Sequence, residues 1–126
     1  MNIATNIVGA LLGLVFIAFS LMVLLHMAPN PTFPPGSPVD HFMQAFGPTG
    51  YITFVKIFEL VGGILLVIPK TRNLGLLVLG PIIINILAFH TFISKGEGLM
   101  GIPVIIALMA LFLLWAERKA FAGLIH

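Results

Sequence analysis

The sequence predicts an all-α integral membrane protein, a four-helix transmembrane bundle with a short amphipathic helix in its first loop. Three observations predict it. Hydrophobic residues make up 60% of the chain and charged residues only 8%, against roughly 25% charged in soluble domains. Four long apolar runs are separated by polar or proline-rich segments. Only Lys56 and Glu59 place a charge inside a run. So few charges cannot cover the surface of a water-soluble fold, and lipid is the simpler solvent. The 126 residues suit one domain, with no large aqueous part.

The first span covers about residues 3–27, from Ile3 to Met27. A crossing needs roughly 20 residues, so this run crosses with some tilt. Its start has no basic residues and the run is too long for a signal peptide, so it reads as a mature helix. Asn2, Thr5 and Asn6 are its candidate N-caps. Residues 28–50 form an external loop too rich in proline for one continuous helix, with Pro29, Pro31, Pro34, Pro35, Pro38 and Pro48. Within it, Ser37-Pro38 is an N-cap followed by a first-turn proline. Val39, Phe42, Met43 and Phe46 recur at helical spacing behind it, which predicts a short helix lying at the membrane surface.

The second span covers about residues 51–68, the third 74–93 and the fourth 99–116. Pro69 to Asn73 and Ser94 to Gly98 are the turns between them, and Gly80-Pro81 predicts a kink in the third. Four spans put the N-terminus, Lys70, Arg72, Arg118 and Lys119 on one side and Lys95 alone on the other. The positive-inside rule then makes both termini cytoplasmic, and Tyr51 and Trp115 mark opposite interfaces. The location expected is a bacterial inner membrane.

Several chemistries are excluded or disfavoured. The absence of cysteine rules out disulfides, thiolate metal sites and iron–sulfur ligation by this chain. A formal charge of +2 is too small and dispersed for nucleic-acid binding. The histidines lack paired ligand spacing, so no metal site is predicted.

The residues that carry chemistry lie in the spans. Glu59 stands about 12–14 Å below the outer face, where a charge costs about 2.5–3.5 kcal/mol on insertion scales. Lys56 is one turn nearer that face, at i−3, where the two can pair. Gly62 and Gly63 continue the same face and invite close helix packing. Gly9 and Gly13 form a GxxxG stripe on the first span, with Ser20 on its face, and packing inside the chain is the simpler use of it. Asn85, His90 and His26 lie at similar depth or nearer the outer end, whereas the cytoplasmic half has almost no buried polar group. Asn85 and His90, five residues apart, are about 140° apart around a helix and do not share a face. Lys56, Glu59, Asn85, His26 and His90 are the candidate lining of an outward-facing polar pocket. Such a pocket suits a quinone headgroup, whose carbonyls and protons these groups can meet. The competing reading of the same residues is structural, with an ion pair and an interhelical amide holding the bundle together.

The stretch from Phe58 to Arg72, Phe-Glu-Leu-Val-Gly-Gly-Ile-Leu-Leu-Val-Ile-Pro-Lys-Thr-Arg, resembles the DoxX-like family of small four-helix membrane proteins. The matching positions are Glu59, Gly62, Gly63, Thr71 and Arg72. Many members carry a basic residue at the end of the first helix, where this chain has His26. The resemblance implies a link to quinone-coupled redox systems and to assembly with redox enzymes in the membrane. No flavin, haem or iron–sulfur signature makes the chain a self-sufficient oxidoreductase. The first functional expectation is therefore a quinone-interacting subunit of a membrane redox system, working beside other membrane subunits or as a homo-oligomer. The alternatives are a non-catalytic accessory subunit of a respiratory or photosynthetic complex and, more weakly, a small-solute transporter.

Overall fold

A computed structural model describes residues 3–27, 33–94 and 101–124. Among these residues the chain is helical, without strands. Helix α1 spans Ile3–Leu24, α2 Pro38–Phe46, α3 Tyr51–Val67, α4 Arg72–Ala88, α5 Ile102–Ala116 and α6 Arg118–Ala122. Helix α4 runs on through a π turn, Phe89–Ile93. Among the described residues two helical stretches are long and apolar enough to cross a membrane, Ile3–Leu24 and the continuous Pro69–Ile93. Helix α3 follows the segment containing α2 after a bend of 83°, made at Gly50, whose φ of +84° favours a residue without a side chain.

The helix ends follow local chemistry. The Ser37 hydroxyl accepts the Asp40 amide at 3.2 Å and caps α2, with Pro38 in its first turn. Helix α1 ends at Leu24 and the chain turns through His26, a left-handed residue at φ +54°, so the first helix stops short of Met27. Thr5 and Asn6 lie inside α1 rather than capping it, and Asn2 lies outside the described residues. Helix α4 begins at Arg72, two residues before the expected boundary, and passes through Pro81 without a break. The irregular turn comes later, at Phe89. Residues 95–100, which hold the expected second turn and the start of the fourth span, lie outside the described residues.

Helices α1, α3, α4 and α5 form a closed ring: α1 packs on α3, α3 on α4, α4 on α5, and α5 on α1. Leu12, Phe16, Leu66, Leu79, Ile106 and Leu113 are among the apolar side chains that fill it. The tightest contacts use glycine. A methyl group at Gly13 would stand 2.6 Å from the Gly63 carbonyl oxygen, and one at Gly63 2.8 Å from that of Gly13. A methyl at Gly75 would stand 2.9 Å from the Gly62 carbonyl oxygen. The GxxxG stripe of α1 is thus spent inside the chain, with backbone against backbone.

Gly9, the other half of that stripe, makes room for a side chain. A methyl there would collide with the Arg72 guanidinium. Arg72 is 1% exposed; its Nε donates to the Leu66 carbonyl at 3.1 Å and its Nη1 to Asn6 Oδ1 at 3.0 Å. Thr71 donates its hydroxyl to the Leu65 carbonyl at 2.8 Å. The Thr-Arg turn therefore satisfies the last carbonyls of α3, which no amide of that helix can reach. This corrects two expectations. Arg72 is a buried cross-link between α1, α3 and α4 rather than a solvated loop charge, and the end of the bundle near the termini does hold buried polar groups.

The outside is apolar. Leu11, Leu14, Phe54, Ile84, Leu111 and Trp115 are exposed, while Thr5, Ser20, Glu59 and Arg72 are buried. Ser20 is satisfied locally, its hydroxyl donating to the Phe16 carbonyl at 2.6 Å.

If the α1–α3 contact is set by missing side chains, Gly13→Val lowers thermal stability in detergent by about 1–3 kcal/mol, the usual cost of overpacking. Gly80→Ala, where nothing lies within 4 Å, leaves it unchanged or raises it. Equal losses at both positions would contradict the close approach.

Candidate functional site

Helices α3 and α4 are pinched together where Gly62 meets Gly75 and Leu79. Beyond that contact, towards α2, both helices carry side chains on their facing stripes. A groove of about 300 Å³ opens there, roofed by Phe42 and Met43 of α2. From α3 it is lined by Tyr51, Ile52, Val55, Lys56 and Glu59, and from α4 by Ile82, Asn85, Ile86, Phe89 and His90. The volume is at the small end of ligand sites. The roof is held by stacked rings: Phe42 lies edge-on to Phe89 at 5.0 Å, Phe42 and Phe46 are 4.8 Å apart, and Phe46 and Tyr51 5.2 Å apart.

The groove concentrates the polar groups of this half of the bundle. Lys56 Nζ donates to Glu59 Oε2 at 3.2 Å and to Oε1 at 3.4 Å. Glu59 is the more buried partner, with its side chain 6% exposed against 23% for Lys56. Both carboxylate oxygens keep a lone pair beyond those used by the ammonium. His90 Nδ1 lies 2.8 Å from the Ile86 carbonyl. A carbonyl only accepts, so the proton sits on Nδ1, and Nε2 of the neutral ring is left as an acceptor. Among the described residues the Asn85 side chain has no hydrogen-bond partner, and it is exposed along the groove. A carboxylate, an ammonium, an amide and an imidazole thus share one small space walled by aromatic rings. Together they can bind a flat ring bearing oxygen substituents, and can accept or donate its protons.

Four of the five candidate pocket residues, Lys56, Glu59, Asn85 and His90, line this groove. His26 does not. The left-handed turn at the end of α1 leaves it exposed and away from the lining. Asn85 and His90 do share the groove, contrary to the expectation from their separation. They stand on opposite flanks of one wide stripe, Ile82, Asn85, Ile86, Phe89 and His90, which recurs at i, i+3, i+4, i+7 and i+8. The roof residues Phe42 and Met43 and the rim ring of Tyr51 were legible as an amphipathic helix and an interface aromatic, not as parts of a site. The spacing of α2 shows its apolar face but not what that face covers.

No family model and no solved structure matches the chain. It is similar to the uncharacterized protein YwoB of Bacillus subtilis (strain 168), with 34% identity over 74 residues. The match covers 59% of this chain and 47% of YwoB, so the chain spans about half the length of that relative.

The unequal burial of the ion pair sets a direction. Lys56→Met leaves the buried Glu59 carboxylate without its cation, and costs about 3–5 kcal/mol. Glu59→Leu leaves an ammonium on a long stem that can reach water, so its loss is smaller. The double variant Lys56→Met/Glu59→Leu recovers stability relative to Lys56→Met. Unfolding midpoints of the three variants in one detergent check the order; a double variant no better than Lys56→Met contradicts it.

Proposed function

We propose that the chain is a quinone-interacting subunit of a membrane redox system, with the quinone ring seated in the groove between α3 and α4. The observation that carries this reading is the composition of that groove: four polar groups of different proton capacity inside an aromatic-walled space of about 300 Å³. Intramembrane ionisable groups mark function by default, and a purely structural pair would not call for an unpartnered amide and an imidazole acceptor beside it.

The groove needs a membrane setting to be reached by such a ligand. In this reading α1, α3, α4 and α5 all cross the bilayer as a four-helix bundle. Helices α3 and α5 rise about 26 and 22 Å, so the bilayer thins or flanking residues snorkel around them. Both termini are cytoplasmic, with Lys70, Arg118 and Lys119 at that face of a bacterial inner membrane. Arg118 donates to the Trp115 carbonyl at 2.7 Å and lies 4.6 Å from the Trp115 ring, a pairing suited to that interface. Helix α2 lies on the opposite surface, roofing the groove. The resemblance of residues 58–72 to DoxX-like proteins supports the same assignment, with Thr71, Arg72 and the glycine pair acting as framework and Glu59 as part of the site. The chain supplies a binding face; electrons come from and go to partner subunits.

Purification in mild detergent, with mass spectrometry of bound small molecules and partner chains, tests the proposal. Quinone is expected with the wild-type protein, and about ten-fold less with Asn85→Leu, the loss of one or two hydrogen bonds. Wild-type protein free of quinone but stoichiometric with a large membrane complex would replace this reading with that of an accessory subunit.

A further inference from the structure

The groove at Lys56 and Glu59 does not end at His90. A second depression, about 280 Å³ in volume, adjoins it. The two share Phe42, Tyr51, Asn85 and Phe89, so they are parts of one furrow. Their chemistry differs. The first part holds the ion pair and His90, whereas the second adds only Ala88, Phe92 and Ile93. Asn85, with no hydrogen-bond partner among the described residues, stands at the junction.

The second part is built by the π turn. The Ser94 amide donates to the Phe89 carbonyl five residues back, at 2.9 Å. This wider turn puts Phe89, Phe92 and Ile93 beside Ala88 on one wall. Single π turns within α-helices are often found at functional sites because they re-aim side chains without ending the helix. A furrow with an ion pair and an imidazole at one end, an amide shared by both parts, and the apolar side chains of Ala88, Phe92 and Ile93 at the other matches a ligand that has a polar ring and one apolar chain.

We infer that the depression at Ala88, Phe92 and Ile93 is the chain subsite of the same ligand whose ring lies against Lys56 and Glu59. This rests on the quinone reading above and adds to it that the chain is recognised, not merely dissolved in lipid. Asn85, shared by both parts, stands where ring ends and chain begins. Access to the ring subsite then runs along the chain subsite, beneath Phe42.

The test compares two probes on purified protein: a benzoquinone ring without a side chain, and the same ring bearing a decyl chain. Affinities are corrected for partitioning into the detergent. Wild-type protein is expected to bind the decyl compound about ten-fold more tightly or better, as burial of a few methylenes requires. Ala88→Trp fills the second depression, and is expected to remove that preference while leaving the tailless ring's affinity unchanged. Phe92→Ala, at a residue 75% exposed and outside the packed core, is expected to lower the preference about three-fold by removing one wall. Equal binding of both probes by wild type, or equal loss of both in Ala88→Trp, overturns the chain subsite and leaves the ring site standing. Failure of both probes to bind wild type overturns the quinone reading, and the chain subsite with it.

Discussion

The whole arrangement depends on one backbone approach, that of α3 to its neighbours. Gly63 meets Gly13 of α1 with a carbonyl on each side where a side chain would stand, and on α4 Gly75 meets the Gly62 carbonyl while the Leu79 side chain fills the space beside Gly62. Helices that touch through backbone must separate as soon as side chains return. On the α4 side of α3, they return at Glu59, Lys56, Val55 and Ile52, and the groove begins there. One face of one helix therefore does two jobs in succession, packing at one end and presenting polar groups at the other.

The opposite end of the pinch is locked by different means. Arg72 is clamped between α1 and α3 by Asn6 and the Leu66 carbonyl, in a slot that exists because residue 9 has no side chain. Hydrogen bonds to a charged donor are worth about 1.5–3 kcal/mol each, and more is lost when a buried carbonyl is left bare. This lock and the glycine contacts hold α1, α3 and α4 together without drawing on the ion pair. The Lys56–Glu59 pair is additional to these contacts, and carries the desolvation that burial imposes.

Much of this was legible in the sequence, for identifiable reasons. Hydrophobic run lengths located the helices, and Ser37-Pro38 marked the start of α2. A charge at Glu59 inside an apolar run pointed to protein or water as its neighbour, and Lys56 at i−3 named its partner. What was not legible depends on contacts between segments far apart. Arg72 reads as a surface charge until Asn6 and Gly9 are placed beside it. His26 reads as a pocket residue until the left-handed turn takes it away. Asn85 and His90 read as divergent until both flanks of a wide stripe are seen facing one groove. The π turn has no sequence signature, and so neither has the second depression.

The face between α3 and α4 gathers polar groups within an otherwise apolar surface. Adjacent residues on α4 test it, because Ile84 is 68% exposed yet lies outside the groove that Asn85 lines. The chain has no cysteine, so single variants Asn85→Cys and Ile84→Cys can be labelled without background. With protein in lipid bilayers and a water-soluble maleimide, Asn85→Cys is predicted to react and to be protected by a bound quinone, and Ile84→Cys to stay unreactive. Comparable labelling of both positions, or none at Asn85→Cys, would contradict the account.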